Sequence, residues 1–189
     1  MGVAERKNRD REAREQRITA AAREIAEAEG WSAVTVRRLA DEIEYSQPVL
    51  YSHFKNRDAI VSAVALEGFR EIKTALHQAA QAQMSTDSRQ TRESVAIAYL
   101  DFARDNPALY EAMFTMPTDL LFAEGDTKSE LREAFEVLAA VVPTSLDVDV
   151  ATETFWAALH GLVQLESSGR IKHSTRLARV ALIVRSLFG

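Results

Sequence analysis

The stretch of sequence that decides the fold is residues 34–58, VTVRRLADEIEYSQPVLYSHFKNRD. Thr35 can cap one short helix. Ser46 can cap a second that carries Pro48 in its first turn, where the missing N–H leaves no helical hydrogen bond unmade. Only a brief break around Glu44 separates the two helices. Two short helices joined by a turn of about three to four residues have the geometry that places the second helix in the major groove of DNA. The stretch therefore predicts a helix-turn-helix.

The second of these helices is expected to have one buried and one exposed side. The apolar positions that would pack against the preceding helices are Leu39, Ala40, Ile43 and Leu50. The residues left on the other side are Ser46, Gln47, Pro48, Tyr51, Ser52 and His53. A helix start also presents free N–H groups and the positive end of the helix dipole, both of which suit phosphates. The exposed side is therefore the predicted DNA-binding surface.

Apolar residues have helical spacing in most of the remaining sequence. Ile18, Ala22 and Ile25 define a first amphipathic helix that is expected to end at Gly30. Further helix starts are expected at Asn56, at Pro107 and at the capping-box pair Thr127 and Glu130. The predicted fold class is all-α, with nine helices. The predicted domains are a three-helix DNA-binding domain over 1–58, in which 1–12 form a flexible arm, and a second domain over 59–189.

The net charge of −5 is unevenly distributed along the chain. Residues 1–58 carry 11 Lys and Arg against 11 Asp and Glu, whereas the remainder carries 12 against 17. The first segment is therefore relatively basic, and its start contains Arg6, Lys7, Arg9, Arg11, Arg14 and Arg17. Such a run is either a solvated, partly disordered arm or an arm that contacts DNA, and the sequence leaves both interpretations open.

Several classes of protein are disfavoured by features that the sequence lacks. There is no cysteine, so disulfides and thiolate chemistry are excluded, and the four histidines lie far apart. No metalloprotease motif, glycine-rich phosphate loop or nucleophile elbow occurs. No apolar run reaches the ~20 residues of a membrane span, and the first residues do not resemble a signal peptide. We expect a cytoplasmic protein that is not an enzyme and has no metal or cofactor. A helical adaptor whose helix-turn-helix binds protein is the alternative.

Small, aromatic and capping residues occur in a specific order between residues 30 and 60. They are Gly30-Trp31, Val34-Thr35-Val36-Arg37-Arg38-Leu39-Ala40, Ser46-Gln47-Pro48-Val49-Leu50-Tyr51-Ser52-His53-Phe54 and Arg57-Asp58-Ala59-Ile60. This pattern resembles the DNA-binding domain of the TetR family of transcriptional repressors. The resemblance implies that the helix starting at Ser46 reads base edges with Gln47 and Pro48. It further implies backbone contacts from Thr35, Tyr51, His53, Lys55 and Arg57, with Arg37 and Arg38 as additional candidates.

The turn contains one departure from the family pattern. Glu44 stands where the family usually has glycine. A non-glycine residue forced to positive φ carries about 1 kcal/mol or more of strain. We therefore expect either an adjusted turn or a glutamate in the left-handed region.

The segment Phe155-Trp156-Ala157-Ala158-Leu159-His160-Gly161-Leu162 is similar to the Trp-His-Gly segment of one C-terminal subgroup of that family. Pro107-Ala108-Leu109-Tyr110 and Met113-Phe114 accompany it upstream. The resemblance implies a ligand-binding and dimerisation domain, with candidate ligand contacts at Phe69, Tyr99, Tyr110, Met113, Phe114, Phe122, Trp156 and His160. Each of these residues could equally belong to the plain core, and His160 could be a core or interface histidine.

The last two helices carry apolar residues on most sides. A helix of this kind needs a core on one side and a partner on the other. The predicted interface residues are Phe155, Leu159, Leu162, Val163, Val180, Ile183, Val184 and Leu187. The expected assembly is a homodimer that binds a palindromic operator with recognition helices ~34–36 Å apart. A small, mostly apolar effector is expected to release this repressor from DNA.

Overall fold

The computed structural model describes residues 2–82, 88–118, 120 and 129–189. The helices in this part of the chain are α1 Val3–Glu29, α2 Val36–Glu42, α3 Gln47–His53, α4 Arg57–Ala82, α5 Ser88–Asp105, α6 Pro107–Phe114, α7 Ser129–Ala139, α8 Val148–Ser167 and α9 Arg176–Phe188. Short 3₁₀ turns lie at Trp31–Ala33 and His173–Thr175. The described residues contain no strand, and the predicted all-α class is confirmed. None of these helices is long and apolar enough to cross a membrane.

Several helix ends carry the caps that the sequence predicts, although Ser46 stands at the N-cap position of α3 without a side-chain cap hydrogen bond. The hydroxyl of Thr35 accepts the N–H of Arg38 at 3.2 Å at the start of α2. The side-chain oxygen of Asn56 accepts the N–H of Ala59 at 2.9 Å at the start of α4. Gly30 ends α1 with φ 83° and ψ 162°, a conformation that only glycine adopts readily. Thr127 of the expected capping box lies outside the described residues.

The first residues are helical, whereas the sequence analysis expects a flexible arm over 1–12. Residues from Val3 onward form the first turns of α1, and every residue from Ala4 to Arg14 is exposed. Side-chain pairs one turn apart support this segment. Asn8 donates to Glu12 at 2.6 Å, and Arg11 donates to Glu15 at 2.8 Å. Pairs at this spacing stabilise an exposed helix by a few tenths of a kcal/mol each, about 0.2–0.5.

The chain divides into two compact units. The first comprises Met1–Gly68 and Asn106–Leu121, and the second comprises Phe69–Asp105 and Phe122–Gly189. The predicted domain boundary lies after Asp58, with α6 in the C-terminal domain, so the two units divide the chain differently. Helix α4 contributes its first turns to one unit and the rest to the other.

Long-range hydrogen bonds attach α6 to the first unit. The carboxylate of Glu27 accepts the N–H groups of Ala108 and Leu109 at 3.1 and 3.0 Å, which satisfies the start of α6. The buried indole of Trp31 donates to the carbonyl of Ala108 at 2.8 Å. Gly68 lies against Met113, where a Cβ would come within 2.5 Å of the Met113 sulfur. Any larger residue at position 68 would therefore have to displace the Met113 side chain.

The second unit is built on α5, α7, α8 and α9. Its core contains Tyr99 and Leu100 from α5, Phe155 and Leu159 from α8, and Val180 from α9, all with an exposed fraction of 1% or less. Apolar burial on several helices at once supplies most of the driving force for such a core.

A charged cluster joins three helices within the second unit. The guanidinium of Arg176 binds Asp101 at 2.7 Å and also binds Glu166, which in turn binds Arg179. The side chains of Arg176 and Glu166 are 8% and 7% exposed. Partial burial alone would raise the pKa of Glu166, but the hydrogen bonds from Arg176 and Arg179 hold it below its ordinary value.

Candidate DNA-binding surface

Helix α3 is anchored by a buried leucine and exposes polar residues on its other side. Leu50 is buried together with Leu39, Ala40 and Ile43 of the preceding helix and turn. The exposed residues at the start and outer side of α3 are Ser46, Gln47, Pro48, Tyr51 and Ser52. Tyr51 is 54% exposed, although an aromatic side chain of this size is usually more buried. All five belong to the predicted DNA-binding surface.

The turn before α3 retains its shape although it lacks the expected glycine. Glu44 lies at φ 56°, in the left-handed region, and is the only non-glycine residue with positive φ in the described chain. The N–H of Tyr45 then reaches the carbonyl of Ala40 at 2.9 Å. Glu44 therefore occupies the left-handed region, and this hydrogen bond closes the turn.

Helix α1 holds this turn from the outside. The guanidinium of Arg17 lies over the ring of Tyr45, 5.2 Å from its centroid, and donates to its hydroxyl at 3.2 Å. Cation–π contacts at exposed sites contribute about 0.5–1 kcal/mol. Arg17 therefore fixes the turn, a role that the sequence analysis did not assign to it.

His53, predicted to contact phosphate, is held inside the unit at the end of α3. Its Nδ1 lies 3.2 Å from Oε1 of Glu15, and its side chain is 7% exposed. The same Glu15 oxygen accepts from Arg11 at 2.8 Å. Partial burial alone would raise the pKa of Glu15, but the hydrogen bonds from Arg11 and His53 hold it below its ordinary value. The pair attaches the end of the recognition helix to α1.

Arg57, predicted to lie near the DNA backbone, also makes its contacts within the unit. Its Nε donates to the carbonyl of Val34 at 2.9 Å, and its Nη2 donates to that of Trp31 at 2.6 Å. Two main-chain carbonyls that precede α2 are thereby satisfied by one planar guanidinium. Arg57 positions the start of α2 and Thr35.

The remaining predicted contacts lie at the surface. Arg38 is half-exposed and paired with Glu29, with one hydrogen bond of 2.7 Å. That hydrogen bond is the main reason that the pKa of Glu29 is lowered. Among the remaining predicted residues, Arg37, Lys55 and the capping Thr35 are exposed. An exposed ion pair such as Arg38–Glu29 contributes little to stability and can be exchanged for a phosphate.

Comparison with known proteins decides what kind of surface this is. Residues 18–64 match the model of the family described as bacterial regulatory proteins, tetR family, and residues 93–186 match the model described as tetracyclin repressor-like, C-terminal domain. The chain belongs to the TetR family of transcriptional regulators. Its N-terminal helix-turn-helix is therefore a DNA-binding domain, and the predicted family is confirmed.

Individual relatives are HTH-type transcriptional regulators, and a solved structure shares the fold. Rv0681 of Mycobacterium tuberculosis, an uncharacterised HTH-type transcriptional regulator, is 30% identical over 148 residues, which cover 75% of this chain and 64% of that protein. FasR of Mycolicibacterium smegmatis, an HTH-type transcriptional activator, is 27% identical over 177 residues, 94% of this chain and 70% of FasR. The chain thus spans about two-thirds of the length of these relatives. FadR of Bacillus subtilis, solved in complex with stearoyl-CoA, shares the fold with a TM-score of 0.69 at 13% identity, covering 92% of this chain and 97% of FadR.

The candidate ligand residues divide between the two units of this TetR-family chain. In the second unit, the indole of Trp156 donates to the hydroxyl of Tyr99 at 3.0 Å and meets the ring of Phe135 edge-on at 6.3 Å. Phe69 is buried, and His160 is half-buried, which lowers its pKa. Tyr110, Met113 and Phe114 belong to the first unit, where the Tyr110 and Phe114 rings lie 4.7 Å apart. Phe122 lies outside the described residues.

The predicted dimer residues mostly lie in the subunit core. Phe155, Leu159, Val163, Val180 and Val184 are buried in the single chain, whereas Leu162, Ile183 and Leu187 are partly exposed. The opposite side of α8 carries a continuous row with helical spacing, which consists of Val150, Thr154, Ala157, Gly161 and Leu165. Val150 is 58% exposed, and a Cβ added at Gly161 would meet nothing within 4 Å. The exposed, mostly apolar side of α8 in the single chain is therefore this row, whereas the row that contains Phe155 is buried.

Proposed function

We propose that this TetR-family regulator is a repressor that binds a palindromic operator as a homodimer and leaves it when a small, mostly apolar ligand binds. The observation that carries the proposal is that α3 exposes Gln47, Pro48 and Tyr51 on one side, while Leu50 anchors its other side in the core. A short helix of this kind fits the major groove, and an amide side chain can read base edges there.

The residues of this surface have different proposed roles. Gln47 and Pro48, at the start of α3, reach base edges, and Tyr51 with Lys55 binds phosphates. Thr35 and Arg37 bind the backbone from the start of α2, and Arg38 joins them by exchanging Glu29 for a phosphate. His53 and Arg57 act indirectly, since both are engaged inside the unit.

The homodimer is proposed to form through the exposed row on α8. Small and apolar residues at Val150, Ala157, Gly161 and Leu165 allow two helices to approach closely and exclude water. The partly exposed Leu162, Ile183 and Leu187 extend this surface. A two-fold axis at this face would present two copies of α3 to a two-fold DNA site.

The effector is proposed to bind in the second unit, beside the aromatic group of Tyr99 and Trp156 and the half-buried His160. Helix α4 connects such a site to the reading head, by which we mean helices α2 and α3, because residues of α4 belong to both units. A ligand releases DNA only as far as it prefers the non-binding conformation, typically by about 1–3 kcal/mol. FasR is named as an activator. A ligand that strengthens operator binding would contradict the ligand-release part of the proposal, and increased transcription from the bound operator would contradict the repressor part.

Selection of bound sequences from random duplex DNA tests the proposal. We expect an inverted repeat whose half-site centres lie about 10–10.5 base pairs, or a multiple of that, apart. The logarithm of the operator affinity should also fall linearly with the logarithm of the salt concentration. Recovery of no preferred sequence, with no salt-dependent duplex binding, would reject the DNA-reading role and favour the adaptor alternative.

Two variants test the roles within α3. Tyr51→Phe removes a proposed phosphate contact, so it should weaken binding to all sequences alike. Gln47→Ala removes a proposed base contact and should change the preference at one position in each half-site, by about 1–3 kcal/mol. Identical selectivity profiles for the two variants would contradict these assignments.

A further inference from the structure

The first turns of α1 extend beyond the contacts that bind this helix into the first unit. From its C-terminal end backward, α1 contacts α6 through Glu27, α4 through Thr19, the turn through Arg17 and the end of α3 through Glu15. The contacts thus progress toward the reading head. Every residue from Ala4 to Arg14 is exposed. At 1.5 Å per residue, the helix extends up to ~18 Å past Glu15.

One side of this extension is basic. The side of α1 that is buried against the unit carries Ile18, Ala22 and Ile25. The same helical spacing, continued backward, places Arg14, Arg11 and Lys7 on that side. The α1 face that packs against α2 and α3 therefore becomes a basic face where the packing ends. Glu5 and Glu12 lie on the far side, and Asp10 lies at the edge.

Two of these basic side chains are available for a ligand. Arg11 is engaged with Glu15. Lys7 and Arg14, by contrast, form no hydrogen bond or ion pair within the described residues. Their charges are not neutralised by the fold, and they lie beside a surface that belongs to a DNA-binding domain.

We propose that the extension of α1 is a second DNA contact, in which Lys7 and Arg14 bind phosphates that flank the half-site read by α3. Charge complementarity selects phosphates, and the Glu15–His53 pair makes the extension continuous with the recognition helix. Its ~18 Å reach corresponds to about five base pairs at 3.4 Å per step. Contacts of this kind add affinity and salt dependence but no sequence preference. The inference rests on the proposed operator binding by α3.

The full chain with Lys7→Gln and Arg14→Gln tests the inference. The matched control carries Arg6→Gln and Arg9→Gln, which removes the same charge from the other side of α1. Both variants are compared with the unchanged chain on the selected operator, either trimmed to its half-sites or extended by about ten base pairs, one helical turn, at each end. Circular dichroism checks that both variants keep their helix content.

We expect the Lys7/Arg14 variant to lose affinity on the extended duplex and to lose protection of the flanking DNA from hydroxyl radicals. Its slope of log affinity against log salt should fall in magnitude by about 2 per subunit, roughly 0.9 for each lost phosphate contact. The control variant and the trimmed duplex should show much smaller changes. Equal losses in both variants, or unprotected flanks with the unchanged chain, would overturn the inference while α3 still binds. Failure of the unchanged chain to bind any duplex would overturn operator binding as well.

Discussion

Polar side chains in the two compact units have different kinds of partner. In the first unit, the most engaged ones bind the main chain: Arg57 holds the carbonyls of Val34 and Trp31, and Trp31 holds that of Ala108. In the second unit, Arg92 likewise holds the carbonyl of Val141, but the buried Arg176 and Glu166 bind other side chains. A main-chain anchor requires one residue type at one position, whereas an ion pair or an apolar contact can be replaced by many combinations. The first unit accordingly carries a dense local motif at residues 34–58, whereas the family match of the second is spread over residues 93–186.

The largest effect is expected at the exposed row of α8, through which the second unit is proposed to form the homodimer. Ala157→Arg places a charge in the proposed interface, and we expect dimers to dissociate into single subunits. Operator affinity should fall about 10²-fold or more, because two linked reading heads become independent. Sedimentation and titration of the operator measure both effects.

Ala140→Arg is the matched control for this variant, because Ala140 is exposed and lies outside α8. It should leave both the mass and the affinity unchanged. A dimer that survives Ala157→Arg with full affinity would remove the α8 row from the interface.

The next largest effect is expected for the unfolding free energy when the charged cluster of the second unit is disrupted. Glu166→Gln removes one of the two carboxylate partners of the buried Arg176 and the partner of Arg179. Because Asp101 still binds Arg176, we expect a cost below the roughly 3 kcal/mol that is typical of a buried pair broken from one side. The folded pKa of Glu166 lies below its ordinary value of 4.5. Its contribution is therefore present above about pH 4.5 and is lost as the pH falls through the folded pKa. Denaturant unfolding at pH 7 and in acid should show this pH dependence in the unchanged chain and less of it in the variant.

Glu153→Gln is the control for the cluster, since Glu153 is exposed on the same helix. Its unfolding free energy should match that of the unchanged chain at both pH values. Equal stability of the Glu166 and Glu153 variants would show that the cluster contributes nothing net.

In the first unit, Glu15→Gln weakens the attachment of α3 to α1 and leaves the exposed side of α3 untouched. It also removes the ion-pair partner of Arg11, so the comparison is made in the Arg11→Gln background. Loss of one charge-assisted hydrogen bond from His53 should lower operator affinity about tenfold, equivalent to about 1.4 kcal/mol. The loss should be the same for all operator sequences, since no base contact changes. Glu12→Gln, which alters the neighbouring pair with Asn8, should change affinity much less. A change in sequence preference would contradict the positioning role.

Local signals account for what the sequence could predict. The caps at Thr35 and Asn56, the buried Leu50 and the exposed Gln47 each follow from a few neighbouring residues. The Glu27 contact with α6 joins residues 81 and 82 positions apart, and no local pattern records it. The sequence could not assign the two sides of α8 for a related reason. The sequence shows that both sides are apolar, but it does not show that Phe155 faces the core while Val150 faces outward.

The smallest expected effect concerns the turn that the sequence marks as unusual. Glu44→Gly should stabilise the first unit by about 1 kcal/mol, because glycine adopts φ 56° without the strain of a Cβ. Glu44→Gln separates backbone from charge: it removes the carboxylate but keeps the Cβ, so its unfolding free energy should match that of the unchanged chain. Both variants should bind DNA slightly more tightly, because a negative charge beside the phosphates is removed from each. Equal stabilisation by glycine and glutamine would show that charge repulsion, and not the left-handed backbone, is what makes Glu44 costly in the turn.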